Sequence, residues 1–184
     1  MNENKITIRR AVAADAPLVG KAVLMALHYD EENPLFEAFV ELAGREVSQY
    51  SYRNALVGEV NGVAAGAVVG YDGALLQRLR KPLLDMIAER IGEVPFIEDE
   101  TAAGEFYVDS LAILPQFRGL GVGRCLLAAM RDNAFAAGFS HVGLLVDVEN
   151  PRAEALYSSL GFKRVNETTF LGRNMWHLQA KREE

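Results

Sequence analysis

The segment that most constrains the fold of this chain is a glycine-rich turn at residues 116–124, QFRGLGVGR. A strand-like run at 106–113 precedes it and a helix-like run at 126–137 follows it. Alternate glycines let a ligand approach the backbone closely, and the amides that open a helix point outward, without partners, at its positive end. The turn is typical of a pyrophosphate-binding site, although a helix start that needs only a tight entry would have the same pattern.

Composition indicates one globular domain. The 184 residues are 50% hydrophobic and 24% charged, which is enough to bury a core without disulfides or metals. The net charge of -6 disfavours binding to nucleic acid. Cys125, the single cysteine, excludes an intrachain disulfide and a cysteine-rich zinc site, and we expect a cytoplasmic protein. No apolar run has the length of a signal peptide core or a membrane span, so no membrane association is expected.

Hydrophobic periodicity predicts two helices and a hairpin before the glycine-rich turn. The predicted elements are a strand around 6–8, helices at 15–29 and 35–49, hairpin strands at 55–60 and 63–71, and a helical insertion around 73–101. Asn61-Gly62 favours the hairpin because these residues adopt positive φ at low cost. Pro82 predicts a kink or break inside the helix of the insertion.

The second half of the chain predicts alternating strands and helices. The predicted elements are strands at 105–113 and 142–148, helices at 119–137 and 151–160, and closing strands at 162–169 and 171–178. A strand, a crossover helix and a further strand imply parallel pairing of the strands at 105–113 and 142–148. Asn150 and Pro151 form a cap and a first helical residue, so a helix start is expected there.

Two segments together resemble the GNAT superfamily of acyl-CoA-dependent N-acetyltransferases. One is the run from Gln116 to Gly123 with the preceding VDSLAI strand at 108–113, and the other is NPRAEALYSSLGF at 150–162. The resemblance covers about residues 106–165, and the N-terminal half agrees in element order. It implies a single domain at 1–184 of the mixed α/β class. Helices would flank a mostly antiparallel sheet of about seven strands, in which the parallel fourth and fifth strands splay apart.

The resemblance also implies acetyl-CoA as the cosubstrate and no metal. Family position assigns these residues to cofactor binding: Leu111, Ala112, Ile113, Gln116, Arg118, Gly119, Leu120, Gly121, Val122, Gly123, Arg124, Asn150 and Tyr157. A bulge is implied near Asp109 to Leu111, where it would splay the strands and free a backbone amide to polarise the thioester carbonyl. Many members of the family dimerise through their late strands, which suggests a homodimer interface around Phe170 to Gly172 and Met175-Trp176.

Acetyl transfer to an amine requires a base for the amine and an acid for the departing thiolate. The family position of Tyr157 is near the coenzyme sulfur, and a phenol is protonated at neutral pH and can donate a proton. Glu105 and Asp109 are the candidate bases, and each could instead be a solvated or salt-bridged carboxylate. Cys125 lies in an apolar run and is interpreted as a packing residue.

The leading hypothesis is direct transfer of the acetyl group from acetyl-CoA to a small amine or peptide acceptor. Two alternatives stay open at this point: a non-catalytic CoA-binding or protein-interaction module on the same fold, and an acyltransferase that uses a longer acyl-CoA. The residues do not identify the acceptor.

Overall fold

The computed structural model describes residues 4–183, and the predicted domain limits 1 and 184 lie outside them. Seven strands form one sheet in the order β1-β2-β3-β4-β5-β7-β6. The strands are β1 Ile6–Arg10, β2 Ala55–Val60, β3 Val63–Asp72, β4 Phe106–Ile113, β5 His141–Asp147, β6 Lys163–Phe170 and β7 Arg173–Lys181. The helices are α1 Ala16–Ala26, α2 Phe36–Gly44, α3 Leu76–Ile91, α4 Val122–Ala136 and α5 Pro151–Ser158.

This architecture confirms the predicted fold class and element order, with shifts at several ends. The predicted helix at 35–49 ends at Gly44, because the next residue, Arg45, is extended with φ -76° and ψ 147°. Residues 45–54 instead form a partly buried connection to β2, in which Gln49 donates its backbone N–H to Leu79 of α3. The helix around Pro82 is continuous from Leu76 to Ile91.

Helices cover both faces of the sheet, and each face has its own apolar core. Leu126, Leu127 and Met130 of α4 pack on one face together with residues of β4, β5 and β7. On the other face, α1 and α2 pack over β2 and β3, and Leu76 and Leu79 of α3 pack beside the two tyrosines of β3 and β4. The parallel pair β4 and β5 therefore lies inside the sheet between the two layers.

A bulge in β4 ends its pairing with β5. Val69 of β3 faces Ser110, whereas the next residue, Gly70, faces Val108, so Asp109 is the extra residue of β4. The parallel pairing with β5 covers only three residues of each strand and stops at Val108. Beyond that point β4 continues to pair with β3 alone. Both the bulge and the splayed parallel strands agree with the sequence-based expectation.

Candidate active site

The glycine-rich turn has the backbone conformation that makes glycine necessary at two positions. Gly119 and Gly121 have φ values of 78° and 88°, which L side chains rarely adopt. Apart from the two chain neighbours of each glycine, no atom of residues 4–183 lies within 4 Å of the position that a Cβ would occupy, so the requirement is conformational rather than steric. A Cβ at Gly123, which lies inside α4, would make an ordinary 3.5 Å contact with Ile113. The turn therefore depends on Gly119 and Gly121 for its shape.

The first turn of α4 presents backbone donors without helical acceptors. The N–H of Cys125 donates to the carbonyl of Gly121 at 3.1 Å, which is the first hydrogen bond of the helix. The amides of Val122, Gly123 and Arg124 precede it and point out of the helix end. The side chain of Val122 is buried in the core, so only its amide is available to a ligand. This end fits the pyrophosphate of acetyl-CoA, since exposed amides and the helix dipole both favour an anion.

The charged and polar residues of the turn have different surroundings. Gln116, Arg118 and Leu120 are exposed along the rim of the turn. Arg118 donates from Nε to the Ile113 carbonyl at 3.2 Å. Arg124 donates to Oγ of Ser159 at 2.5 Å and to its carbonyl at 3.4 Å, so it also joins the start of α4 to the end of α5.

The residues on β4 beyond the bulge border the gap between the splayed strands. Leu111, Ala112 and Ile113 are partly buried and pair with Val68, Ala67 and Gly66 of β3. Because β5 is not paired with this part of β4, the backbone groups on that edge of β4 other than the Ile113 carbonyl, which accepts from Arg118, are available to a ligand. The sequence-based prediction assigns the pantetheine and the thioester to this edge.

The helix α5 follows β5 and carries the two other predicted cofactor ligands. Asn150 caps α5, and its Oδ1 accepts a hydrogen bond from the Ala153 amide at 3.1 Å, which leaves its Nδ2 group for another partner. The Tyr157 ring packs 6.4 Å from the ring of Phe162, and burial raises the pKa of its phenol. Its hydroxyl makes no hydrogen bond with residues 4–183 and is thus able to donate to a ligand.

Asp109, the bulge residue, lies in a hydrogen-bond network on the α3 side of the sheet. Its Oδ2 accepts from Gln49 Nε2 at 2.8 Å and from the Tyr71 hydroxyl at 2.9 Å, and its Oδ1 accepts from Ser110 Oγ at 2.7 Å. Burial raises the pKa of Asp109, while the three hydrogen bonds and the charge of Arg80 oppose that effect. An acid with a raised pKa binds protons more readily, which suits a general base.

Glu105 is buried at the other end of β4 and is fully occupied by partners. It accepts from Thr101 Oγ1 at 2.7 Å and from Gln179 Nε2 at 2.7 Å, and His177 Nε2 lies 3.0 Å from its Oε2. Burial raises its pKa, but the hydrogen bonds of His177, Gln179 and Thr101 outweigh this effect and hold the pKa below its ordinary value. Its side chain crosses over Gly143, where a Cβ would lie only 2.0 Å from Oε2.

The sequence-based reasoning identified the two carboxylates and missed their partners. Gln49 was predicted inside a helix, and Tyr71 was predicted only as the end of a hairpin strand. The sequence gives no reason to pair His177 with Glu105, and the structure places the two side by side. The contacts of Glu105 with His177 and Gln179 join positions 72 and 74 residues apart in the chain. The contacts of Asp109 with Tyr71 and Gln49 join positions 38 and 60 residues apart, so no local pattern indicates any of them.

Residues 4–183 contain no cluster of three or more histidine, cysteine, aspartate or glutamate side chains arranged to hold a metal ion. In the same part of the chain, no helix combines the length and the apolar character that crossing a membrane requires.

Comparison with known proteins identifies relatives along most of the chain. The sequence model of the acetyltransferase (GNAT) family matches residues 24–162. A crystal structure of an acetyltransferase is 32% identical, covers 96% of this chain and 100% of that chain, and has a TM-score of 0.79. An N-acetyltransferase from Staphylococcus aureus Mu50 is 21% identical with a TM-score of 0.81 and covers 95% of this chain and 100% of that chain. That second likeness concerns the fold alone.

A shorter similarity links the chain to mycothiol acetyltransferases. The protein of Kocuria rhizophila is 42% identical over 66 residues, which are 36% of this chain and 21% of that protein. The chain thus covers about a fifth of the length of this curated relative. The family model matches well over half of the chain, and the 32% identical structure covers 96% of it, so we conclude that the chain belongs to the acetyltransferase (GNAT) family.

Proposed function

We propose that this protein transfers the acetyl group of acetyl-CoA directly to an amine. The observation that carries the proposal is that the unpartnered amides of α4 stand next to the gap left where β4 and β5 separate. An anion held at the helix end and an extended chain lying along β4 would together account for both features. The yncA protein of Salmonella typhimurium, whose structure was solved with its cofactor acetyl-CoA, shares this fold at 19% identity, 97% and 95% coverage of the two chains, and a TM-score of 0.63.

Acetyl-CoA, when bound, supplies an activated acetyl thioester. In the proposed roles, amides of Val122, Gly123 and Arg124 bind the pyrophosphate, while Asn150 and the free edge of β4 orient the pantetheine. A backbone amide beyond the bulge would polarise the carbonyl oxygen as negative charge develops there. The Tyr157 hydroxyl, which is protonated at neutral pH, would donate its proton to the sulfur as the thiolate departs, and the phenolate would regain a proton from water.

Of the two candidate bases, we propose Asp109 as the group that removes the amine proton. Burial raises its pKa, which makes its carboxylate a stronger proton acceptor than an exposed one, and its position at the bulge borders the gap between β4 and β5. Glu105 has a lowered pKa, and two of its partners, His177 and Gln179, lie on β7, so we propose that it positions β4 against β7.

The charge distribution favours an acceptor that carries positive charge. Residues 1–112 contain 18 acidic and 10 basic side chains, whereas residues 113–184, which include the cofactor turn, contain 7 and 9. The helices α1, α2 and α3 that cover the Asp109 face of the sheet belong to the acidic part. We therefore propose a cationic amine as acceptor, since an acidic surface concentrates cations near the site. A cytoplasmic location and a homodimer through the late strands stay predictions.

The first test is calorimetric titration with acetyl-CoA, desulfo-CoA and ATP. We expect micromolar binding of both coenzymes to the wild type and its loss in a Gly121→Glu variant. Gly138→Glu is the matched control: Gly138 follows the other end of α4, also has positive φ at 100°, and also has open space around it. The control should bind like the wild type.

Absence of coenzyme binding by the wild type would overturn the proposal. When binding is present, a thiol-release assay with diamines and lysine-containing peptides measures turnover. Coenzyme binding without turnover of any amine would favour the non-catalytic module, and faster turnover with succinyl-CoA than with acetyl-CoA would favour the longer acyl donor.

A further inference from the structure

The helical insertion buries an ion pair that the proposed chemistry does not use. Arg80 of α3 and Glu100 have side chains that are 3% and 2% exposed, and the Arg80 guanidinium contacts the Glu100 carboxylate directly. Arg80 also donates to the carbonyls of Ile97 and Glu98, both at 3.1 Å. Burying two charges costs more than burying an apolar pair of the same size. A fold that needed only packing at this position would not require the pair.

Hydrogen bonds connect the buried pair to Asp109, the bulge residue. Glu100 Oε1 accepts from Gln49 Nε2 at 3.0 Å and from the Tyr71 hydroxyl at 3.1 Å. The same two donor groups contact Asp109 Oδ2 at 2.8 and 2.9 Å. The two carboxylates therefore lie within about 6 Å of each other and share both of their bridging partners.

Counting protons shows that this cluster can hold one additional proton. The Tyr71 hydroxyl has a single proton and cannot donate to both carboxylates at once. If Asp109 is protonated on Oδ2, it can donate to the Tyr71 oxygen while Tyr71 donates to Glu100, and no heavy atom needs to move. With both acids ionised, Arg80 balances only one of the two negative charges. Gln49 is uncharged and does not balance the second charge.

We propose that Arg80 and Glu100 are positioning residues that set the proton affinity of Asp109 through Tyr71 and Gln49. This inference rests on the proposed role of Asp109 as the base. The charge of Glu100 makes Asp109 bind a proton more tightly, and the charge of Arg80 limits that effect. The insertion thus contributes to proton transfer without touching the substrate.

The other titratable groups that face Asp109 are tyrosines. Tyr50 precedes β2, Tyr71 lies on β3 and Tyr107 on β4, and burial raises the pKa of each phenol. They stay neutral over the range in which a carboxylate titrates. Arg80 and Glu100 are consequently the charges whose replacement should change the protonation of Asp109.

The test compares the acid limb of the pH profile of kcat/KM in four variants. Glu100→Gln should lower the pKa of that limb, and Arg80→Gln should raise it, each by about 1 unit or more. Asp99→Asn is the control, because Asp99 also pairs with Arg80 at 3.0 Å but is 56% exposed and should leave the limb within about 0.3 units. Arg80→Lys keeps the cation and should restore the wild-type limb within the same margin.

If Arg80 and Glu100 had a purely structural role, their replacement would reduce stability but would not shift the pKa of the acid limb in opposite directions. The proposal would be overturned if the acid limb had the same pKa in Glu100→Gln and Asp99→Asn. It would also be overturned if that pKa shifted in the same direction in Glu100→Gln and Arg80→Gln. Glu100→Gln is the safer variant, because Arg80 retains Asp99 and two carbonyls as partners. Where Arg80→Gln does not fold, the comparison of Glu100→Gln with Asp99→Asn decides alone.

A readout without activity separates this inference from the proposed function. Carbon-13 NMR of aspartate-labelled protein follows the Asp109 carboxyl directly, with its signal assigned from an Asp109→Asn variant. The same downward shift in Glu100→Gln is expected whether or not any amine is acetylated. Failure of acetyl transfer with a normal NMR shift would refute the function alone, and an unshifted Asp109 in an active enzyme would refute the inference alone.

Discussion

Replacing Tyr157 with phenylalanine removes one oxygen atom and tests the proposed acid. Phenylalanine keeps the ring that packs on Phe162, and the hydroxyl makes no hydrogen bond with residues 4–183 that would be lost. We therefore expect the free energy of unfolding to change by less than about 0.5 kcal/mol. The affinity for acetyl-CoA should also stay within a few-fold, because the proposed pyrophosphate contacts come from α4.

The expected effect is on turnover. A positioned general acid contributes about 10²–10⁴ in rate, which corresponds to about 3–5 kcal/mol of transition-state stabilisation. Because burial raises the pKa of Tyr157, the phenol stays protonated at neutral pH, so this loss should persist across the neutral range. The thiol-release assay measures kcat, and calorimetry measures acetyl-CoA affinity in the same preparation.

Tyr52→Phe is the matched control, since it deletes the same atom from a residue that lies before β2 and packs with the α1 and α2 core. It should leave kcat unchanged. A Tyr157→Phe variant with kcat within threefold of wild type would refute the acid role and make Tyr157 a packing residue. Loss of acetyl-CoA binding would instead show that the hydroxyl contributes to the affinity for acetyl-CoA before the reaction.

Three further predictions concern stability and are measured by denaturant unfolding. Gly143→Ala should destabilise the fold by about 1–3 kcal/mol, because its Cβ would displace the Glu105 carboxylate from its partners; a change below about 0.5 kcal/mol would contradict this. Glu105→Gln should lower the free energy of unfolding by about 1–2 kcal/mol near pH 7. The difference from wild type should shrink as the pH falls from about 4.5 through the lower folded pKa of Glu105, so a constant difference down to pH 3 would contradict the prediction. Phe96→Ser should change stability by less than about 0.5 kcal/mol because Phe96 is 89% exposed, and a larger loss would indicate a hidden contact.

The backbone of the glycine-rich turn and the start of α5 could be predicted because their signals are local. The positive φ of Gly121 and the capping contact of Asn150 each depend on residues within a few positions of them. The strand, turn and helix between them follow from periodicity. The start of α4 was predicted three residues early, at Gly119, because a glycine in left-handed conformation at 121 delays the helix to Val122.

The acceptor side could not be predicted to the same depth because its contacts are distant in sequence. Alternation along a strand places Glu105 and Asp109 on one face, but it does not indicate that one lies among His177 and Gln179 and the other beside Tyr71. Gln49 was assigned to a helix because its neighbours have helical spacing, and the extended backbone at Arg45 removes it from that helix. Tertiary structure therefore determines which of the two carboxylates has the raised pKa.

The bulge at Asp109 connects the two halves of the proposed reaction. One extra residue in β4 ends the pairing with β5 and so opens the edge proposed for the thioester. The same residue carries the carboxylate that Tyr71 and Gln49 link to the buried pair of the insertion. A base at another position on β4 would not be held in place by the bulge that opens the strand edge. The distance between the proposed base and the cofactor is therefore set by one backbone irregularity, whereas the insertion adjusts only the affinity of that base for its proton.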